Sequence, residues 1–138
     1  SNINKAQITI DSENDLVRKE SLMRVAHWYA RGRREKESKI DRFLMFWIAL
    51  EILVDGRGKM VTRKVKDRLS SIYPNYNADK IAEVVGRVYG IRGDIVHQGV
   101  RQPENLDEKL EQLEDIFADL LRARLGLPPK YMSESFFV

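Results

Sequence analysis

The sequence predicts an all-α fold, an antiparallel bundle of four to five helices that forms a single domain. Three observations support this prediction. Apolar residues recur three and four positions apart along most of the chain, which is the spacing of one helical face. No alternating pattern is long enough to predict a sheet, and the connections between the helical segments are short. With 43% hydrophobic residues, the 138-residue chain can fill one ordinary core.

The first helix is predicted from Leu16 to about Arg34, because several capping residues between Asp11 and Asp15 precede it. One side of this helix carries the apolar residues Leu16, Met23, Ala26 and Ala30. His27 lies on a polar stripe, which predicts a surface residue. Residues 1–14 form a short polar segment with scattered isoleucines, and we expect an N-terminal arm there, either loose or docked as a short strand.

The second predicted helix covers Lys39–Val54, with Ser38 as its cap and a glycine-rich segment at its end. Apolar side chains cover most of its circumference, which is typical of a central helix buried on several sides. Glu51 lies on an apolar stripe, so its carboxylate would need a cation or hydrogen-bond donors. Arg92 is the first candidate partner. The alternative is a salt bridge that orders the core and takes no part in chemistry.

A short basic helix is predicted over Thr62–Ile72 from apolar residues at helical spacing. Its outward face carries four candidate RNA-binding residues: Arg63, Lys64, Lys66 and Arg68. Residues 57–68 hold six basic and one acidic residue, and residues 18–42 hold nine basic and four acidic residues. Such basic surfaces favour a polyanionic partner such as RNA through phosphate contacts. The alternative is that they are ordinary solvated helix faces.

The next helix, which starts at Asn77 or Asp79, leads into an unusual stretch from Gly86 to Gly99. On a helix, one stripe would carry Gly86, Gly90, Gly93 and His97. Each glycine costs roughly 1 kcal/mol relative to alanine, so this ridge predicts the close approach of another backbone. That backbone belongs either to this chain or to the same helix of a second copy, which would make the glycines a dimer interface. The alternative is a turn at residues 89–94.

The last helix is predicted from Asn105, where an amphipathic stripe begins after Pro103 and ends before Gly126. Its segment is acidic, because residues 104–124 hold seven acidic and three basic residues. The C-terminal tail, residues 127–138, ends in Phe136-Phe137-Val138 and could dock on the body or on a partner.

Several classes of site are excluded by composition. The chain has no cysteine, which excludes disulfides and thiolate chemistry, and its two histidines are too few for a histidine metal centre. We therefore predict no metal and no cofactor. No apolar run reaches the roughly 18 to 20 residues of a membrane span. A cytoplasmic location fits the lack of cysteine. Because Ser1 replaces an initiator methionine, we interpret the chain as a segment of a longer protein whose other domains would be partners.

The spacing of Arg92 and His97 resembles the motif of HEPN (higher eukaryotes and prokaryotes nucleotide-binding) domains, an arginine four to six residues before a histidine. The Apea-like HEPN branch is the more similar one. Its motif is matched by Tyr89, Arg92, Gly93, Ile95, Val96, His97 and Gly99. A second segment resembles the family's central helix at these positions: Arg42, Phe43, Leu44, Trp47, Ala49, Leu50, Glu51 and Leu53. The resemblance covers roughly residues 15–124.

This resemblance implies a HEPN-like helical domain over residues 15–126. It also implies a metal-independent endoribonuclease that pools Arg92 and His97 across a homodimer, as the effector part of a defence or toxin-type system. Asp94 would support the site by orienting either residue, although an N-cap or solvent-facing role is equally open. One departure is Gly99, which stands where a toxin branch has a modified tyrosine.

The two side chains themselves suit metal-free RNA cleavage. Histidine exchanges a proton near neutral pH, and arginine offers a planar cationic fork to phosphate oxygens. Cleavage also needs one group to deprotonate the ribose 2′-hydroxyl and another to protonate the leaving 5′-oxygen. Arg92 and His97 lie about 140° apart on an ideal helix, so we expect that one helix does not aim both at one phosphate. A symmetric dimer would supply two of each in a shared cleft.

Two other functions remain open from the sequence. The first is a non-catalytic module that binds RNA or a nucleotide through Arg92 and the basic helices. The second is a structural dimerisation domain in which Arg92, Glu51 and His97 form a buried polar network.

Overall fold

The computed structural model describes the backbone of residues 2–99 and 102–132, and within these ranges the side chains from residue 15 onward. The chain forms five helices: α1 (Asn2–Arg34), α2 (Lys39–Val54), α3 (Lys59–Ile72), α4 (Ala78–Gln98) and α5 (Leu106–Arg124). No strand occurs in these ranges. The predicted all-α helical bundle is therefore confirmed.

Helix α2 is the central element, as its apolar circumference predicted. It packs against each of the other four helices. Phe43, Phe46 and Ala49 are fully buried, and the side chain of Ser38 accepts a hydrogen bond from the Asp41 backbone N–H at 3.2 Å to begin the helix. At its end, the residue with left-handed backbone angles is Asp55 (φ 52°, ψ 54°), which precedes the predicted glycines.

Helix α1 differs from its prediction in both length and orientation. It begins at Asn2, inside the segment expected as an arm, and neither proline nor glycine interrupts residues 2–15. The stripe expected to be apolar faces away from the bundle, since Leu16 is 56% and Met23 is 63% exposed. Val25 is buried on the opposite face instead. A Cβ on Gly32 would lie 2.7 Å from the Phe46 ring, so this close approach fixes which face of α1 turns inward.

Aromatic contacts extend this face of α1 to the last helix. The Tyr29 ring stacks on Phe117 of α5 with centroids 4.9 Å apart, and it lies 5.5 Å from the Phe46 centroid. Such large rings contribute more buried area than the aliphatic residues of the opposite face. They explain why an apolar stripe of moderate size was left in solvent.

The beginning of the tail is held by the carboxylate of Asp119, which is completely buried in α5. Asp119 accepts a hydrogen bond from the Tyr73 hydroxyl and from the backbone N–H groups of Lys130 (2.8 Å), Tyr131 (3.0 Å) and Met132 (3.0 Å). Burial and the neighbouring carboxylate raise the pKa of Tyr73. Residues 130–132 therefore pack on the body, whereas Phe136-Phe137-Val138 lies outside the described residues.

We expect Asp119→Ala to lower the free energy of unfolding by roughly 3 kcal/mol, because four donors, two of them buried, lose their acceptor. Asp67→Ala, which removes an exposed carboxylate from α3, should leave stability within about 0.5 kcal/mol. Urea denaturation of both variants tests this. A loss below about 1 kcal/mol for Asp119→Ala would contradict the role assigned to this carboxylate.

Candidate functional site

The Gly86–Gly99 stretch lies in one uninterrupted helix. Asn77 begins α4 by accepting hydrogen bonds from the backbone N–H groups of Asp79 (2.9 Å) and Lys80 (3.2 Å). The helix ends at Gly99, whose positive φ of 64° suits glycine. The alternative of a turn at residues 89–94 is therefore wrong.

The glycine ridge has no neighbour among the residues that the structure describes. A Cβ added to Gly86, Gly90 or Gly93 would meet nothing within 4 Å in the part of the chain that the structure describes. Gly86 and Gly90 are exposed, and Gly93 is half-buried. The sequence predicted that a backbone of this chain or of a second copy approaches the ridge. Within the described ranges, no backbone of this chain does so. The ridge is an open strip of helix surface.

Arg92 and His97 contact each other beside this strip. Their Nη1 and Nε2 atoms are 3.3 Å apart, with Arg92 half-buried and His97 exposed. The expectation that one helix cannot aim both side chains at one point is therefore wrong. The angle of about 140° describes Cβ directions, whereas an arginine side chain can run along the helix surface. Gly93 lies between them in angle around the helix.

Glu51 on α2 is electrostatically coupled to Arg92. Burial raises the pKa of the Glu51 carboxyl, while the charge of Arg92, a hydrogen bond from Trp47 and the charge of Arg57 oppose the rise. No ion pair within 4.0 Å joins Glu51 to Arg92. Trp47, one turn earlier on the same helix, and the charge of Arg92 thus both favour the ionised carboxylate of Glu51, and Arg92 acts from more than 4.0 Å away.

Asp94, the other predicted supporting residue, does not join this group. Its side chain is half-buried, and it makes no hydrogen bond or ion pair with any residue described. It lies about 160° from Arg92 around the helix. The structure therefore brings Arg92 and His97 into contact, places Glu51 within electrostatic range of Arg92, and leaves Asp94 apart.

Two of the four predicted RNA-binding cations face inward. Arg68 donates from Nη1 to the Leu53 carbonyl (3.1 Å) and from Nη2 to the Val54 carbonyl (3.3 Å), and Lys64 donates to the Asp55 carbonyl. The last carbonyls of a helix lack partners within it and attract cations, which explains why these two side chains are held at the end of α2. Arg63 and Lys66 remain available, the first exposed and the second half-buried.

Sequence analysis missed a concentration of arginines between α1, α2, α3 and α5. A cavity of about 680 Å³ there is lined by Arg18, Arg24, Arg57, Arg68 and Arg124. The excess of basic residues in two segments was a partial signal. However, the five positions come from four separate parts of the chain, so no local motif marks them.

Comparison of the chain with family models, with curated proteins and with solved structures found no match. Among the residues that the structure describes, no group of three or more histidine, aspartate or glutamate side chains could hold a metal ion. Within the same ranges, no helix is long and apolar enough to cross a membrane.

The basic residues of α3 that bind the end of α2 should contribute more to stability than the exposed ones. We expect Arg68→Ala to lower the free energy of unfolding by about 1 to 3 kcal/mol, because two helix-end carbonyls lose their donors. Arg63→Ala should change it by less than about 0.5 kcal/mol. Equal stability of both variants in urea denaturation would show that the Arg68 hydrogen bonds contribute nothing.

Proposed function

We propose that this chain is a metal-independent endoribonuclease domain that acts as a homodimer with a composite arginine and histidine site. The observation that carries the proposal is the contact between Arg92 and His97 on an exposed surface of α4. The adjoining open ridge of glycines provides a surface for the second copy.

The Arg92 and His97 contact supplies two of the three groups that RNA cleavage requires. His97 is exposed and can exchange a proton with the ribose 2′-hydroxyl or the leaving 5′-oxygen. Arg92 has five N–H donors, so a hydrogen bond to unprotonated Nε2 of His97 leaves others for phosphate oxygens. Charge that develops on the phosphorane would be stabilised by the same guanidinium.

The third group, a second proton-transfer residue, must come from elsewhere, because one imidazole cannot act as base and acid in a single step. The second histidine, His27, is exposed on α1, a different helix. A two-fold axis along the ridge would bring His97 of another copy to the same cleft, since an isologous interface repeats each contact. Glycines permit the backbones of two α4 helices to approach closely enough.

The resemblance to Apea-like HEPN domains supports a defence or toxin-type setting in the cytoplasm, with RNA as the substrate. Exposed Arg63 on α3, together with Lys66, offers phosphate contacts away from the reacting atoms. The same two cations favour the second candidate function, a module that binds RNA or a nucleotide without cutting it.

We expect the protein to cleave single-stranded RNA in the presence of EDTA. His97→Ala and Arg92→Ala should each reduce the rate by at least about 100-fold, because one removes proton transfer and the other removes charge stabilisation. His27→Ala is the matched control and should retain the wild-type rate. The measurement is product formation from labelled RNA under single-turnover conditions.

Two results would reject the nuclease. One is intact RNA at high protein concentration, and the other is undiminished cleavage by His97→Ala. Binding that weakens with salt but yields no products would favour the binding module.

Alanine substitution on the ridge tests the dimer. We expect Gly90→Ala to raise the stability of each protomer by roughly 0.5 to 1 kcal/mol, since alanine favours the helix and its Cβ meets no described atom within 4 Å. The same Cβ would obstruct a second helix, so the variant should become monomeric and lose cleavage while His97 is intact.

Light scattering after size exclusion and urea denaturation measure the two effects. Ser71→Ala, at an exposed position of α3, is the control and should leave the oligomeric state unchanged. A wild-type protein that is monomeric at all concentrations would contradict the homodimer.

A further inference from the structure

The arginine-lined cavity shares Glu51 with the candidate site, but neither Arg92 nor His97 lines it. It is bounded by the second half of α1, the end of α2, the loop that follows α2, and residues from α3 and α5. Its volume of about 680 Å³ falls in the range of roughly 300 to 1,000 Å³ that is usual for small-molecule sites.

Positive charge in this cavity exceeds negative charge. Five guanidinium groups line it, and its carboxylates are those of Glu51 and Asp55. Burial favours the neutral form of Glu51 by raising its pKa, which reduces the negative charge further. Burial and the nearby positive charge of Arg124 lower the pKa of Arg68, as expected for two like charges at one site.

Most of these arginines have no partner among the described side chains. Arg68 donates to two carbonyls of α2. Four other side chains make no hydrogen bond or ion pair within the described ranges, and the charge of one of them, Arg57, acts on Glu51. The four belong to Arg18, Arg24, Arg57 and Arg124.

Three described arginines outside the cavity are paired with acids. Arg33 and Arg42 meet Glu114, and Arg87 meets Glu83. Exposed Arg34 and Arg63 also lack an acidic partner among the described residues, but the cavity places four such arginines around one concave space.

We infer that this cavity binds a small polyphosphorylated molecule. Arginine forks match phosphate oxygens and bind them through paired, charge-assisted hydrogen bonds. Several forks around one cavity suit two or more phosphates better than a single one. The aliphatic side chains of Val17, Leu22, Ile48 and Ile52 also line the space and can pack against an uncharged part of the ligand. This inference does not depend on the proposed nuclease activity.

Isothermal titration calorimetry with tripolyphosphate and with ATP tests the inference directly. We expect both to bind the wild-type protein, more weakly as salt increases. Arg57→Gln/Arg124→Gln should weaken binding at least about 10-fold by removing two forks. Arg31→Gln/Arg87→Gln removes two exposed arginines outside the cavity and should change the dissociation constant by less than about twofold.

The comparison of ligands identifies what the cavity recognises. Equal affinity for tripolyphosphate and ATP means that the phosphates alone are bound, whereas tighter binding of ATP means that the aliphatic wall takes the base. Either result supports the inference. His97→Ala should bind both ligands like the wild type, which separates this site from the nuclease.

A second double variant tests whether weaker binding could result from unfolding. Arg18→Gln/Arg24→Gln changes exposed positions of α1 and should weaken binding similarly, with an unchanged thermal melt. No binding of either ligand to the wild type, or equal weakening by the cavity and control pairs, would overturn the inference. Binding of single-stranded RNA at the cavity arginines without binding of tripolyphosphate would overturn it as well.

Discussion

The burial of the end of α2 in the centre of the bundle determines much of the surrounding chemistry. The last carbonyls of a helix lack partners within it, and those of α2 find theirs in the loop that follows and in α3. Asp55 achieves part of this by adopting a left-handed conformation, and the Arg68 and Lys64 side chains satisfy the rest. Two cations of a basic helix are thereby committed to the fold, and Glu51, in the last turn, becomes half-buried beside the Trp47 indole.

The elements that sequence predicts well are those with a strong local signal. Helices α2, α4 and α5 follow their apolar patterns and caps closely, because each pattern occupies enough of the helix to define one inward surface. In α1 the pattern is weak, and tertiary contacts of Gly32 and Tyr29 select the other face. Only packing against α2 and α5 could reveal that choice.

The candidate functional residues likewise differ in how far the sequence predicts them. A motif of two residues on one helix was sufficient to single out Arg92 and His97, yet the angle between their positions gave the wrong geometry, since side-chain length outweighs it. The arginine cavity has no such motif. Its members extend from Arg18 to Arg124 in the sequence, and only folding makes them neighbours.

The glycines of α4 connect the fold to its function by an energetic argument. Each glycine destabilises the helix by roughly 1 kcal/mol relative to alanine, and no contact within the described chain requires the absence of a side chain there. The interaction that compensates for this loss of helix stability must therefore come from a partner or need a helix surface without side chains. Gly90 and Gly86 lie about one and two turns before Gly93, and the three positions leave a continuous strip of helix surface without side chains. The cost of the ridge thus favours a partner surface over a helix that functions alone.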